Sequence, residues 1–263
     1  MKSILVPTDF SDTATNAVLY AAQFCKDYGV SLHILNVMHV PAVDANAQME
    51  LANTLLDNTK SATEVKLQKV SDKVVQSSGI IPEMHSHFGL GSDVIIEQAM
   101  ELGVDFVMMG TSGESGFIRS LLGSVTLAVS RNSEVPVIAI PQNAQYNGLD
   151  IIVYGNDHKE KIEEKLDLLA PFTRVANARI DMISVEPEAE AYAVEVVFEE
   201  PKLKEVSIWD KTVSEGVQKY LEKENANLLV LKHHERSFIQ ELFQKSTTKE
   251  LLKECSIPVL ILN

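Results

Sequence analysis

Met108 to Thr126 reads M-M-G-T-S-G-E-S-G-F-I-R-S-L-L-G-S-V-T and holds the residues whose types and spacing best suit chemistry. An apolar run ends at Met109 and Gly110. Gly113, Gly123 and Ser124 follow, and a helix-like segment opens at Val125. Glycines let the backbone approach a ligand closely, and successive N–H groups can line an anion-binding concavity. The first N–H groups of the next helix lack intrahelical partners and carry the positive end of its dipole. Ser124 adds a hydroxyl, and Arg119 is the only Lys or Arg between Lys73 and Arg131. Together these would make a phosphate cradle. The plainer account is a glycine turn with Ser124 as a helix cap. Spacing alone leaves both open.

Other chemistries have weaker support. No Gly-Lys-Ser/Thr follows the loop, so it is not a Walker A motif. No Ser-His-Asp elbow, metalloprotease helix or zinc-deaminase signature is present. Asp9 is the nearest candidate for a general base. His85 and His87 share a strand face by their i, i+2 spacing, and His233-His234-Glu235 ends a strand-like run. Both read more readily as structural or surface groups than as metal ligands. Cys25 falls on an apolar helical face and reads as a buried free thiol, far in sequence from Cys255.

The elements that would position the loop follow from periodicity. Ile4-Leu5-Val6, ended by Pro7, suits a strand buried on both faces. Thr8 to Asp12 form a turn with Ser11 or Asp12 as N-cap, and apolar residues at helical spacing run from Ala14 to Cys25 before Gly29. Ser31–Val37 is a second strand. Residues 41–78 are polar and helix-forming, as one helix or two. A third strand is expected near Glu83–Phe88, a helix over Asp93–Leu102, a fourth strand over Asp105–Met109, a helix over Val125–Arg131 and a fifth strand ending at Ile140. Strands alternating with helices imply right-handed crossovers and a parallel sheet.

Composition narrows the class. The chain has 263 residues, 45% of them hydrophobic, enough for one large core or two small ones. The formal net charge of −14 argues against non-specific binding to nucleic acid or anionic membrane. It also means that a bound polyanion would need local help, for which Mg²⁺ on the phosphates is a reasonable companion. Neither a signal peptide nor a stretch of the roughly 20 apolar residues that span a bilayer is evident. A cytoplasmic protein is expected.

Gly110-x2-Gly113-x9-Gly123-Ser124 resembles the nucleotide signature of the universal stress protein family, the UspA-like proteins. V-P-V-I-A-I-P (Val135 to Pro141) is similar to that family's last strand, and K-S-I-L-V-P-T-D-F-S (Lys2 to Ser11) to its first strand and turn. The resemblance implies an open Rossmann-like sheet of strand order 3-2-1-4-5 that binds ATP or AMP, with weak ATP hydrolysis at most. It implies that Pro7, Thr8 and Asp9 form the adenosine-binding turn and that Val37 contacts adenine. Met109 and Gly110 would end the fourth strand beside the nucleotide. Gly113, Gly123, Ser124, Val125 and Thr126 would hold phosphate, with Arg119 inside the same loop. Each has a bland alternative: Val37 and Met109 suit a core, Asp9 a cap, and Thr126 packing. A stress-response or regulatory role follows, or else a nucleotide-free interaction module of the same fold.

The chain also repeats itself. A shift of 122 positions lays Val104–Ile140 on Ala226–Leu262 without a gap, and Ile151 to Asp157 resembles the first strand and turn. The expectation is α/β: two tandem domains, 1–143 and 149–263, each with a five-stranded parallel sheet. They are joined near Asn143 to Gly148. In the second copy Lys232, Glu235 and Lys245 replace Gly110, Gly113 and Gly123, so its nucleotide chemistry is lost. Single-domain relatives are expected to dimerise through last-strand edges. The two halves here would then form an internal pseudo-dimer, and a homodimer stays open.

Overall fold

In the computed structural model the described residues are 1–39, 49–111, 123–155, 169, 172, 176–187, 192–200, 202–232 and 255–262. The chain divides into two compact units that change over between Gln142 and Asn143.

The N-terminal unit holds β1 (Ser3–Pro7), α1 (Asp12–Tyr28), β2 (Ser31–Met38), α2 (Met49–Ser78), β3 (Glu83–Phe88), α3 (Gly91–Glu101), β4 (Phe106–Gly110), α4 (Ser124–Asn132) and β5 (Val137–Ile140). All its strand pairs are parallel, in the order β3-β2-β1-β4-β5. The order follows from right-handed crossovers laid to either side of β1. The inner strands are buried on both faces, as their near-continuous apolar runs require. On one face Leu5, Leu35, Val107, Met109 and Val137 pack with Ile95 and Ala99 of α3 and Val129 of α4.

Local chemistry sets the ends of these elements. Ser11 caps α1 by accepting from the Ala14 N–H at 3.2 Å. Gly29, at φ 64°, closes that helix in the left-handed conformation and donates to the Cys25 carbonyl. Asp105, the charge that interrupts the fourth apolar run, accepts from the backbone N–H groups of Lys2 and Ser3 at 2.5 and 3.1 Å. It thereby fixes the start of β1 against β4. Residues 41–78 yield one described helix, α2. It buries Thr63, Leu67, Val70, Ser71, Val74 and Ser78 at helical spacing, while none of Asn53–Ala62 is buried.

The second unit holds β6 (Ile151–Gly155), β7 (Arg179–Glu186), β8 (Ala193–Glu200), β9 (Leu203–Trp209), α5 (Val213–Glu224), β10 (Leu228–Lys232) and β11 (Val259–Leu262). Its strand order is β11-β10-β6-β7-β9-β8. The five parallel strands repeat the 3-2-1-4-5 order, with β9 in third place. The expectation of a purely parallel five-stranded sheet needs correction here. A sixth strand, β8, pairs antiparallel with β9 at the sheet edge. Val194, Val196, Val197 and Phe198 supply strand-forming side chains, and only two positions separate Glu200 from Leu203, a spacing that only an antiparallel pair can use. The stretch occupies the place in the chain that α2 holds in the first unit. The repeat is otherwise faithful in detail: Asn227, 122 positions after Asp105, accepts from the N–H groups of Asp150 and Ile151 at 2.8 and 3.0 Å.

Candidate functional site

The turn after β1 is tightly determined. Pro7 pairs with Leu35, and the Thr8 N–H donates to the Leu35 carbonyl at 2.8 Å. The buried Asn36 side chain donates to the Thr8 carbonyl at 2.7 Å. The Thr8 hydroxyl accepts from the Phe10 N–H at 3.0 Å and Asp9 Oδ1 from the Ser11 N–H at 3.0 Å. Phe10 has φ 68°, unusual for a non-glycine residue and sustained by this hydrogen-bonded turn. Asp9 is left exposed at its apex.

At the neighbouring strand end, Gly110 closes β4. A Cβ there would meet Thr13 Cγ2 at 2.9 Å and the Thr13 carbonyl oxygen at 3.1 Å. Glycine is thus required by the close approach of β4 to the first turn of α1. The Thr111 N–H donates to the Ile140 carbonyl, and the Gly123 N–H to the Thr111 carbonyl. The two ends of the glycine-containing segment are therefore pinned together. Gly123 is the N-cap of α4, at φ −52° and ψ 153°, and offers no side chain to its first turn. Ser124 is the first helical residue and is exposed, with Val125 also exposed beside it. Thr126 is buried, and its hydroxyl donates to the Gly110 carbonyl at 2.9 Å.

These pieces meet at one place. β1 lies between β2 and β4, so chain progression reverses between β1 and β4. In open α/β sheets a ligand binds beyond the carboxyl ends of the strands at such a reversal. Pro7, Thr8 and Asp9 end β1, and Gly110 ends β4. Gly123, Ser124, Val125 and Thr126 begin the helix that returns to Gly110. Val37 and Met109 belong to, or pack on, the apolar cluster beneath. Gly113 and Arg119 lie outside the described residues, as do His233, His234, Glu235, Lys245 and Ser246 of the second unit. Two contributors escaped the sequence reading. Asn36 is a lone amide in an otherwise apolar strand, which was a usable signal. The Lys66 ammonium stands 5.3 Å over the Phe10 ring; nothing in the polar stretch around Lys66 marks it.

Both cysteines are free and buried. Burial pushes the Cys25 thiol up to about 12. Burial likewise raises Cys255 to about 11, against a hydrogen bond to the Ile257 carbonyl. Neither is a nucleophile at neutral pH, since reactivity needs the thiolate. Among the described residues no helix is long and apolar enough to cross a membrane.

An open parallel sheet with a tight first turn and a glycine-capped helix at its reversal defines a Rossmann-like α/β protein built twice in tandem. The sequence model of the Universal stress protein family matches residues 1–141 and 156–263, and the chain belongs to that family. A universal stress protein of Methanocaldococcus jannaschii is 30% identical over 142 residues, 53% of this chain and 81% of that protein. A second, from Synechocystis sp., is 25% identical over 291 residues and covers 99% of both chains. The crystal structure of a universal stress protein from Archaeoglobus fulgidus superposes with a TM-score of 0.69 at 18% identity, over 99% of this chain and 96% of that one. It supports the two-domain fold.

Proposed function

We propose that the N-terminal domain is an adenine-nucleotide-binding module with a stress-response or regulatory role, and that the C-terminal domain has lost this capacity. The observation that carries the reading is the convergence of the Thr8–Asp9 turn, the Gly110 strand end and the side-chain-free cap of α4 at the sheet's reversal. A Gly N-cap gives the first-turn N–H groups of α4 no side-chain acceptor of its own, and a phosphate oxygen is a natural one. The exposed Ser124 hydroxyl stands beside them. The adenosine end falls to Pro7, Thr8, Asp9 and Val37. Gly113 and Arg119, within the same loop, complete the set that the family resemblance assigns to the nucleotide.

Such a site fits ATP better than a neutral ligand, because its groups are donors and a helix dipole. Mg²⁺ would accompany the phosphates and offset the protein's acidic charge. Efficient turnover is not part of the proposal. Asp9 faces the adenosine end and already accepts from Ser11, so it is poorly disposed as a base for an attacking water. A thermal-shift titration with ATP and Mg²⁺ tests the reading. Ligand at about a hundred times Kd stabilises the folded state by about 2.7 kcal/mol, and no shift at millimolar ATP would refute it.

A second reading has its own observation. The Asn53–Ala62 stretch of α2 carries no buried residue. An interaction role for that helix is compatible with nucleotide binding and also with its absence.

A further inference from the structure

We propose that the N-terminal domain carries a transition-metal site on its sheet edge, formed by His33 of β2 and by Glu83 and His85 of β3. One ligand atom from each residue lies within 4.8 Å of the others. His33 Nδ1 is 3.1 Å from His85 Nε2 and 3.6 Å from Glu83 Oε2. A tetrahedral ion with bonds of about 2.0–2.1 Å needs donor separations of about 3.3 Å. Two of the three edges already bracket that value. The third closes by rotation of Glu83, whose side chain is 67% exposed.

The backbone explains why the three meet. In the parallel register His33 lies opposite Glu83, and His85 lies two residues further along β3 on the same face. Both imidazoles are therefore presented by strands and not by loops, a rigid mounting that favours a defined geometry. His33 is buried, which limits its alternatives. Two nitrogens and one carboxylate oxygen suit Zn²⁺, Co²⁺ or Ni²⁺, with water completing the shell.

The second domain supplies an internal contrast. Its matching strand position is Asp181, fully buried and opposite Lys204. There Arg179 donates to both carboxylate oxygens at 2.7 Å and Tyr220 to one at 3.0 Å. The polar spot on that face is satisfied by a guanidinium and a phenol. In the first domain the same spot holds two bases and an acid, a set that a cation would complete. β3 is the edge strand, so a bound ion would clip it to β2. The site is about four residues, or roughly 13 Å, back along β2 from Val37, and is independent of the nucleotide reading.

The test uses the full chain, stripped with a chelator, and Co²⁺ as the optical probe. The proposal expects one Co²⁺ per chain with tetrahedral d–d absorption, displaced by Zn²⁺. His85→Ala and Glu83→Gln, both at partly or fully exposed positions, should each weaken Co²⁺ binding by about tenfold or more. A His233→Ala/His234→Ala chain should keep it. Uptake unchanged in His85→Ala, loss confined to the His233/His234 chain, or no uptake by the parent protein would each overturn the proposal.

Discussion

The Thr126 hydroxyl donates to the Gly110 carbonyl at 2.9 Å and ties the first turn of α4 to the end of β4. The bond spans 16 positions and closes the base of the loop whose glycines attracted attention in the sequence. Thr126 is buried, so its contribution to any ligand is to hold the helix start in place. Replacing it by Val keeps the shape and leaves the Gly110 carbonyl without this donor. The expected loss of stability is about 1–2 kcal/mol, measured by urea denaturation, with weakened ATP binding. Thr126→Ser should restore both.

Gly123 separates stability from binding. As an N-cap it gives α4 no side-chain acceptor. Asp is a better N-cap than Gly by a few tenths of a kcal/mol and also favours the dipole. Gly123→Asp should therefore fold at least as stably as the parent. It should bind ATP far more weakly, because a carboxylate then occupies the position proposed for phosphate. A calorimetric melt and a binding isotherm on the same sample check both halves of the statement.

The polar network of the second domain is predicted to be structural. Arg179 bridges the fully buried Asp181 and Glu224, and Lys204 also reaches Glu224. The Arg179 guanidinium is held further above its usual range by its hydrogen bond to Asp181, against burial. Arg179→Met would strand a buried carboxylate at a cost of about 3–5 kcal/mol. Denaturation should show loss of the second domain's signal, with ATP-dependent stabilisation of the first retained.

Alkaline stability should report on Cys25. Its thiol is raised from 9.0 to about 12 by burial. Between those values the unfolded chain has lost the proton and the folded chain keeps it. The contribution is thus complete below pH 9 and falls as pH rises, by about 1.4 kcal/mol per unit for a single such group. Stability of the parent protein against that of Cys25→Ala, measured from pH 8 to 11, should converge as pH rises. Tyr20, also raised by burial and then by Tyr28, adds to the absolute decline in both proteins and cancels in the difference.

Much of this was legible in the chain itself. Ile4-Leu5-Val6, Phe106 to Met109 and Val137 to Ile140 are apolar runs with no other good use than buried parallel strands; the 122-residue shift placed the counterparts of the last two, and the likeness of Ile151 to Asp157 that of the first. β8 was not legible. Its ladder slips between Val196 and Phe198, so Val196 and Val197 are both exposed and the period of two is broken. An edge strand with Glu195, Glu199 and Glu200 also reads as polar. At the site, residue types were readable but roles were not. Gly110 is demanded by Thr13, a neighbour nearly a hundred positions earlier. His33 and His85 are 52 positions apart and meet only through strand register.

Equilibrium dialysis of ATP with Mg²⁺ against the parent chain and Gly123→Asp tests the central claim most directly. The account predicts one ATP per parent chain, removed by the substitution while the fold persists. Equal retention by both proteins, or none by the parent, would contradict it.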